Sequence, residues 1–198
     1  MKILFLCHGN ICRSPMAEFV MKDLLEKEGR TDIVVESAAL HTDEIGSDIH
    51  SGTRRLLDLH GIAHPRRAAW LLTAAKSREY DLLIGMDAYN IADLKRLVYP
   101  EDRPKIRKLL EIAGENRDVA DPWYTGDFEI TYSDVLAVVG TSALIRPLER
   151  IDSIVLFRDL PFLFILTTLL WTRRLTRTRG GLLLAAFVSY TLLAWLSD

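Results

Sequence analysis

Five apolar residues in a row, Ile3 to Cys7, run into the polar stretch HGN. The segment KILFLC has the length and unbroken apolarity of a strand buried on both faces. After HGNICRSP the period changes. Ala17, Val20, Met21, Leu24 and Leu25 recur at i, i+3, i+4, i+7 and i+8, which predicts a helix with one apolar stripe. Ser14 followed by Pro15 predicts its start, with serine as N-cap and proline at the first helical position. Gly29 predicts its end. DIVVESAAL reads as a second strand, SGTRRLLDLHG as a short helix stopped by Gly61, YDLLIGMD as a third strand and AYNIADLKRLV as a third helix closed by Pro100. RPKIRKLLEIA fits strand and helix equally. DPWYTGD reads as a loop from its proline and glycine, and FEITYSDVLAVV resumes a helical pattern. Strands alternating with helices predict an α/β fold with an open parallel sheet covered by helices on both faces. In such folds the ligand sits beyond the carboxyl ends of the strands, and Cys7 lies at such an end.

The pattern changes once more, late in the chain. Residues 1–150 form the predicted domain. Residues 151–198 are an apolar, helical C-terminal extension interrupted by TRRLTRTRGG. The first apolar block is broken by Arg158, Asp159 and Pro161. The second, GGLLLAAFVSYTLLAWL, just reaches the roughly 17 residues that a membrane span needs. Two spans would place Arg173, Arg174, Arg177 and Arg179 outside, against the positive-inside rule. A single span over residues 180–196, with the arginines and the cysteine-bearing domain on the cytoplasmic side and the first block lying on the interface or the domain, meets both that rule and the reducing compartment expected for Cys7. Packed or dimerising core helices are a second reading, and an unselected extension from a shifted reading frame is a third.

Composition alters this picture little. With 198 residues and 49% hydrophobic content there is room for one core domain plus an extension. The 26% charged content is ordinary, and a net charge of −2 offers no basic excess for nucleic acid. The two cysteines, Cys7 and Cys12, are too few for a disulfide framework, which predicts a reducing, cytoplasmic compartment. The N-terminal apolar run is shorter than the roughly 7–15-residue core of a secretory signal.

Candidate chemistry concentrates between the first strand and the first helix. Backbone N–H groups at a helix start are unpaired, and the helix dipole adds positive charge, so the junction is an anion site. Gly9 removes a Cβ where the backbone must curl. Asn10 tolerates left-handed φ and ties the loop through its side chain. Arg13 offers a planar fork to two phosphate oxygens. The same field favours Cys7 as a thiolate, and Ser14 is placed to hydrogen-bond the sulfur. A thiolate in an anion cradle beside an arginine is suited to attack phosphorus. Taken singly, Cys7 reads as a small core residue and Arg13 as a solvated cation. Their spacing, with glycine and asparagine between them, is what points to a site. A departing phenolate needs a proton, and Asp121 of DPWYTGD is the candidate acid. Asp-Pro is also an ordinary turn starter, and Trp123 and Tyr124 also read as plain core residues.

LFLCHGNICRSPMAE together with DPWYTGDFE resembles the low-molecular-weight protein tyrosine phosphatases. The resemblance continues in order through ESAAL, GTRRLLDLHGI, YDLLIGMDAYN and KIRKLLE and covers residues 1 to about 139. It implies a phosphocysteine intermediate on Cys7, phosphate binding by Arg13, and proton transfer by Asp121. It implies that Asn10 and Ser14 order the loop together with Ser37, with His8, Gly9, Ile11 and Cys12 completing it. Trp123 and Tyr124, with His8, would wall an aromatic pocket, where ring–ring packing adds roughly 0.5–1.5 kcal/mol. The implied partner is a phosphotyrosine protein, with neither metal nor cofactor. Cys12 matches the family's second loop cysteine, which forms a reversible disulfide with Cys7; a buried bystander is the plainer reading. Arsenate reductases of this fold use a further cysteine, absent here. Protein-arginine phosphatases resemble the same scaffold but carry threonine at the position of Ile11 and lack the aromatic pair. A weakly active phosphate-binding interaction protein held at a membrane is the reading from another class.

Two stretches depart from the family pattern. In AHPRRAAWLL, Ala69 stands where an arginine is usual, with Arg66 and Arg67 as compensating candidates and local packing as the expected consequence. After FEITYSDVLA the usual long helix meets Gly140 and Pro147. Interior proline costs about 3 kcal/mol and glycine about 1, so a continuous helix to Arg150 is not expected.

Overall fold

The computed structural model describes residues 1–140. The expectations for Pro147 and for the apolar extension lie outside the described residues. Four strands form one parallel sheet in the order β2-β1-β3-β4, with β1 Lys2–Cys7, β2 Val34–Ala39, β3 Leu82–Gly85 and β4 Ile106–Lys108. The alternation along β1 shows why both faces are covered. Ile3 and Phe5 join the core on one side, with residues of α1 (Arg13–Lys27) and α7 (Phe128–Val139). Leu4 and Leu6 join the other, with Tyr80, Leu83 and Leu94 of α4 (Ala88–Leu97). A central strand with two buried faces is therefore apolar from Ile3 to Cys7, and only Lys2 at its start is exposed.

The predicted stripe of α1 is present and widened. Ala17, Val20, Met21 and Leu25 are buried, Leu24 packs at the margin, and Met16 and Phe19 join them. Its predicted start is corrected. The helix begins at Arg13, Cys12 occupies the N-cap without a side-chain bond, and Ser14 lies inside the first turn. Ser14 cannot cap because its hydroxyl is engaged elsewhere, by Cys7 and Asn10. The ambiguous RPKIRKLLEIA is neither one strand nor one helix. A 3₁₀ helix, Pro100–Lys105, leads into β4 and then α5 (Leu109–Ile112). Its period is mixed because three short elements share eleven residues. α7 stops at Val139, with Gly140 at its cap, and within that length Tyr132, Val135, Val138 and Val139 are buried. Among the described residues no helix is long and apolar enough to cross a membrane.

The topology sets where chemistry can occur. β1 and β3 are neighbours, while β1 pairs with β2 through the register Cys7↔Ala39. The loop after β1, the residues after β2 and the start of α4 all emerge at the carboxyl edge, where the order reverses across β1.

Candidate active site

The seven residues from Cys7 to Arg13 wrap around the start of α1. Asn10 takes φ +60°, the left-handed conformation that asparagine tolerates among non-glycine residues. Gly9 meets a further need beside the expected one. A Cβ there would meet Glu44 Cγ at 2.9 Å, so the loop lies against that side chain. Arg13 is 4% exposed and gripped at both ends: Nη1 donates to Asp87 Oδ2 at 2.6 Å, and Nη2 lies 2.6 Å from Asp121 Oδ2. Burial works against the Arg13 cation, but the charges of Cys7, Asp121 and Asp87 outweigh it and raise its pKa. Asp87, the N-cap of α4, was not singled out from the sequence. Its second oxygen caps Asn90 N–H at 2.7 Å, which leaves the first rigidly presented to Arg13.

Asp121 does not sit in an irregular loop as expected. It caps the four-residue helix α6 (Pro122–Thr125), while α2 spans Ser51–Leu59 with His50 as its N-cap. Oδ1 accepts from Trp123 N–H at 3.0 Å, and Pro122 presets the first turn. Four residues are too few for a helical period to show. Trp123 rests edge-on against His50 at 6.2 Å, and His50 stacks on Phe128 at 5.1 Å. His50, also missed in the sequence, thus ties the Asp121 segment to α2 and α7.

Beneath the loop the polar groups form one network with a definite polarity. Arg67, a donor only, gives Nη2–H to Asn10 Oδ1 at 2.7 Å. The Asn10 amide must then present its NH₂ to the hydroxyls of Ser14, at 2.9 Å, and Ser37, at 2.8 Å. Each hydroxyl accepts from Asn10. Ser14 keeps its proton for Cys7 Sγ, 3.0 Å away, and Ser37 gives its own to Glu18 Oε2 at 2.6 Å. Arg67 Nη1 closes the circuit on Glu18 Oε2 at 2.6 Å and Ser37 Oγ at 2.7 Å. Of the two compensating candidates in AHPRRAAWLL it is Arg67 that reaches the loop, so the departure bears on the loop's bonding more than on local packing, the reverse of the expected weighting. Arg66 is exposed and lies 3.6 Å from Asp48, whereas Arg67 enters the loop's own bonding. Ala69 packs as a core residue.

Cys12 is buried beside the loop. Burial, then the charges of Cys7 and Asp121, push its thiol up to about 12. Both cysteines are free. A cavity of about 580 Å³ opens over Cys7 and brings together His8, Gly9, Ile11, Cys12, Arg13, Asp121, Trp123 and Tyr124 from the sequence reading. Asn10, Ser14 and Ser37 lie below it, as bracing. Tyr89, on the first turn of α4, lines the same cavity and is 82% exposed. An isolated tyrosine carries no signal in the sequence, so this wall was missed.

A thiol at the floor of an arginine-lined anion cradle, a carboxylic acid at its edge and aromatic walls above constitute a site for transfer from an aryl phosphate to sulfur. The family described as "Low molecular weight phosphotyrosine protein phosphatase" matches residues 2–150. The low molecular weight protein-tyrosine-phosphatase YfkJ of Bacillus subtilis is 38% identical over 130 residues, which span 64% of this chain and 83% of that protein. The protein-tyrosine-phosphatase PtpA of Staphylococcus aureus is 36% identical over 136 residues, 68% of this chain and 86% of its own length. The crystal structure of SP-PTP from Streptococcus pyogenes superposes with a TM-score of 0.65 at 37% identity, covering 73% of this chain and 91% of that one.

Proposed function

Because the chain belongs to the low-molecular-weight protein tyrosine phosphatase family and is a hydrolase of phosphotyrosine, we propose that its reaction runs through Cys7, Arg13 and Asp121. The observation that carries this assignment is the pairing of Arg13 with Asp121 at 2.6 Å directly beside Cys7. The phosphate dianion enters the loop and takes the Arg13 fork, displacing Asp121 from Nη2. Asp87 keeps Nη1 and so keeps the guanidinium aligned. Cys7 Sγ attacks phosphorus, an S–P bond forms and the O–P bond to the phenol breaks. Asp121 delivers its proton to the departing oxygen. In the second half, Asp121 accepts a proton from water as the water oxygen attacks phosphorus. The S–P bond breaks and the thiolate returns, received by the Ser14 hydroxyl. The positive charge of Arg13 and the loop N–H groups act on the equatorial oxygens in both steps.

The walls favour a flat ring. Trp123, Tyr124 and Tyr89 surround the entrance with exposed aromatic surface, and Ile11 lines the cavity floor with an apolar side chain. Protein-bound phosphotyrosine is the substrate class that this geometry suits, in preference to phosphoarginine. The purified full chain is expected to hydrolyse p-nitrophenyl phosphate and phosphotyrosine peptides without added metal, with phosphoarginine peptides turned over more slowly. Cys7→Ser should abolish all turnover, and activity surviving that change would sink the mechanism.

We also propose a cytoplasmic placement with residues 180–196 as an anchor at the inner face of the membrane. The support is the apolar length of that segment and the arginines that precede it.

A further inference from the structure

Two histidines meet at the mouth of the cavity for reasons the reaction does not use. His8 follows the nucleophile, and His41 lies two residues beyond the end of β2. The backbone clamps them together: His41 N–H donates to His8 O at 3.0 Å, and Leu40 N–H donates to Cys7 O at 3.0 Å and His8 O at 3.1 Å. The two rings stack with centroids 4.1 Å apart and 12° between their planes. Each is held by a carboxylate, His8 Nε2 by Asp43 Oδ2 at 2.8 Å and His41 Nε2 by Asp93 Oδ2 at 2.9 Å. One ligating atom each from His8, His41 and Asp43 falls within 4.8 Å of the others.

We propose that His8, His41 and Asp43 bind a divalent transition-metal ion of the zinc class at the cavity mouth, and that the bound ion switches the phosphatase off. Two imidazoles and a carboxylate are a borderline-soft N/O donor set, suited to zinc, nickel or copper and poorly suited to magnesium or calcium. Three protein ligands with a water completing the tetrahedron match the open type of zinc site, with bonds of about 2.0–2.2 Å. Binding would turn the exposed His8 and Asp43 side chains and the half-buried His41 ring from their present spacing to that one. Asp93 stands behind His41 as the outer carboxylate that orients a ligating imidazole. Asp43, Glu44 and Asp93 together give the lip a negative field that draws a cation in. His8 and Asp43 line the cavity itself, so an ion joining them to His41 narrows the entrance above Cys7. The inhibition rests on Cys7 being the reacting group. The binding does not.

The test separates these two parts. The full chain carrying Cys7→Ser, which removes the competing sulfur ligand, is titrated with zinc by calorimetry. One ion per chain is expected. His41→Gln in that background should abolish binding at this site, and Asp93→Asn should weaken it about 10–100-fold. Asp43→Asn provides a second ligand variant should His41→Gln fold poorly. No zinc bound by the Cys7→Ser chain, or equal affinity in the ligand variants, overturns the proposal. In the active enzyme, zinc is expected to raise KM for p-nitrophenyl phosphate, and His41→Gln, with unchanged metal-free activity, should shift half-inhibition upward at least tenfold. Equal sensitivity of wild type and His41→Gln places the ion on Cys7 instead and overturns the switch.

Discussion

Arg67 Nη2 donates to Asn10 Oδ1 at 2.7 Å, across 57 residues of sequence. Because Arg67 can only donate, this bond decides which way the Asn10 amide faces, and through Ser14 it decides that a proton points at Cys7 Sγ. A side chain in the segment that departs from the family pattern thereby orients the hydrogen bond to Cys7 Sγ from beneath the loop.

Removing that side chain should therefore affect both stability and rate. Arg67→Ala removes one of the partners of the buried Glu18 carboxylate and leaves it Lys22 and Ser37, so the loss should fall below the about 3–5 kcal/mol of a fully broken buried pair. Arg67→Lys retains the charge but cannot bridge Glu18, Ser37 and Asn10 at once. Denaturant titration should show Lys recovering most of the stability, while stopped assays show kcat still reduced. A Lys variant with full kcat would remove Arg67 from any positioning role.

Asp121→Asn removes the proton donor proposed above while keeping the cap on α6. Turnover of phosphotyrosine peptide should fall about 10²–10⁴-fold. The loss should be smaller for p-nitrophenyl phosphate, whose leaving group needs less protonation. Equal losses on both substrates would mean that Asp121 acts through Arg13 alone.

Cys12 and Cys7 should differ in reactivity. With its thiol pushed up to about 12, Cys12 is protonated at neutral pH, so iodoacetamide should modify Cys7 first, as peptide mapping can show. The folded pKa is raised above the unfolded value of about 8.5. The unfolded chain thus loses the proton first as pH rises, and the stability contributed by Cys12 is full below about 8.5 and lost toward 12. Urea denaturation at pH 7 and pH 10 should show a smaller alkaline loss for Cys12→Ser than for wild type.

Gly52 packs against the ring that carries the His50 stack. A Cβ at Gly52 would lie 2.4 Å from Phe128 Cε2. Gly52→Ala should destabilise by about 1–3 kcal/mol through overpacking. Since Phe128 and Trp123 share His50, kcat should fall as well. An unchanged melting temperature would show that α7 moves aside freely.

For the anchor, the full chain should partition with membranes and resist carbonate extraction. Val188→Arg, at the middle of residues 180–196, costs roughly 2.5–3.5 kcal/mol of insertion and should release it. A wild-type chain that stays in the soluble fraction would rule the anchor out.

What the residues alone determined is the part written in consecutive letters. The buried strand before Cys7, the anion loop to Arg13, the stripe of α1 and the acid of DPWYTGD each depend on neighbours in the chain, because helix periods, loop curvature and the polarity of a helix start are local properties. The start of α1 was misplaced for a tertiary reason. Ser14 has the local chemistry of a cap, but its hydroxyl is claimed by Cys7 and Asn10. The partners of Arg13 could be named only in part: Asp121 from its motif, Asp87 not at all, since a carboxylate capping a helix reads the same whether or not an arginine lies behind it. Arg67 on Asn10 and His41 on His8 were beyond reach of the letters. Those contacts are set by strand register, which places Ala39 beside Cys7, and by the return of a distant segment beneath the loop. Register is fixed by the burial of whole faces at once, so only the assembled sheet decides it.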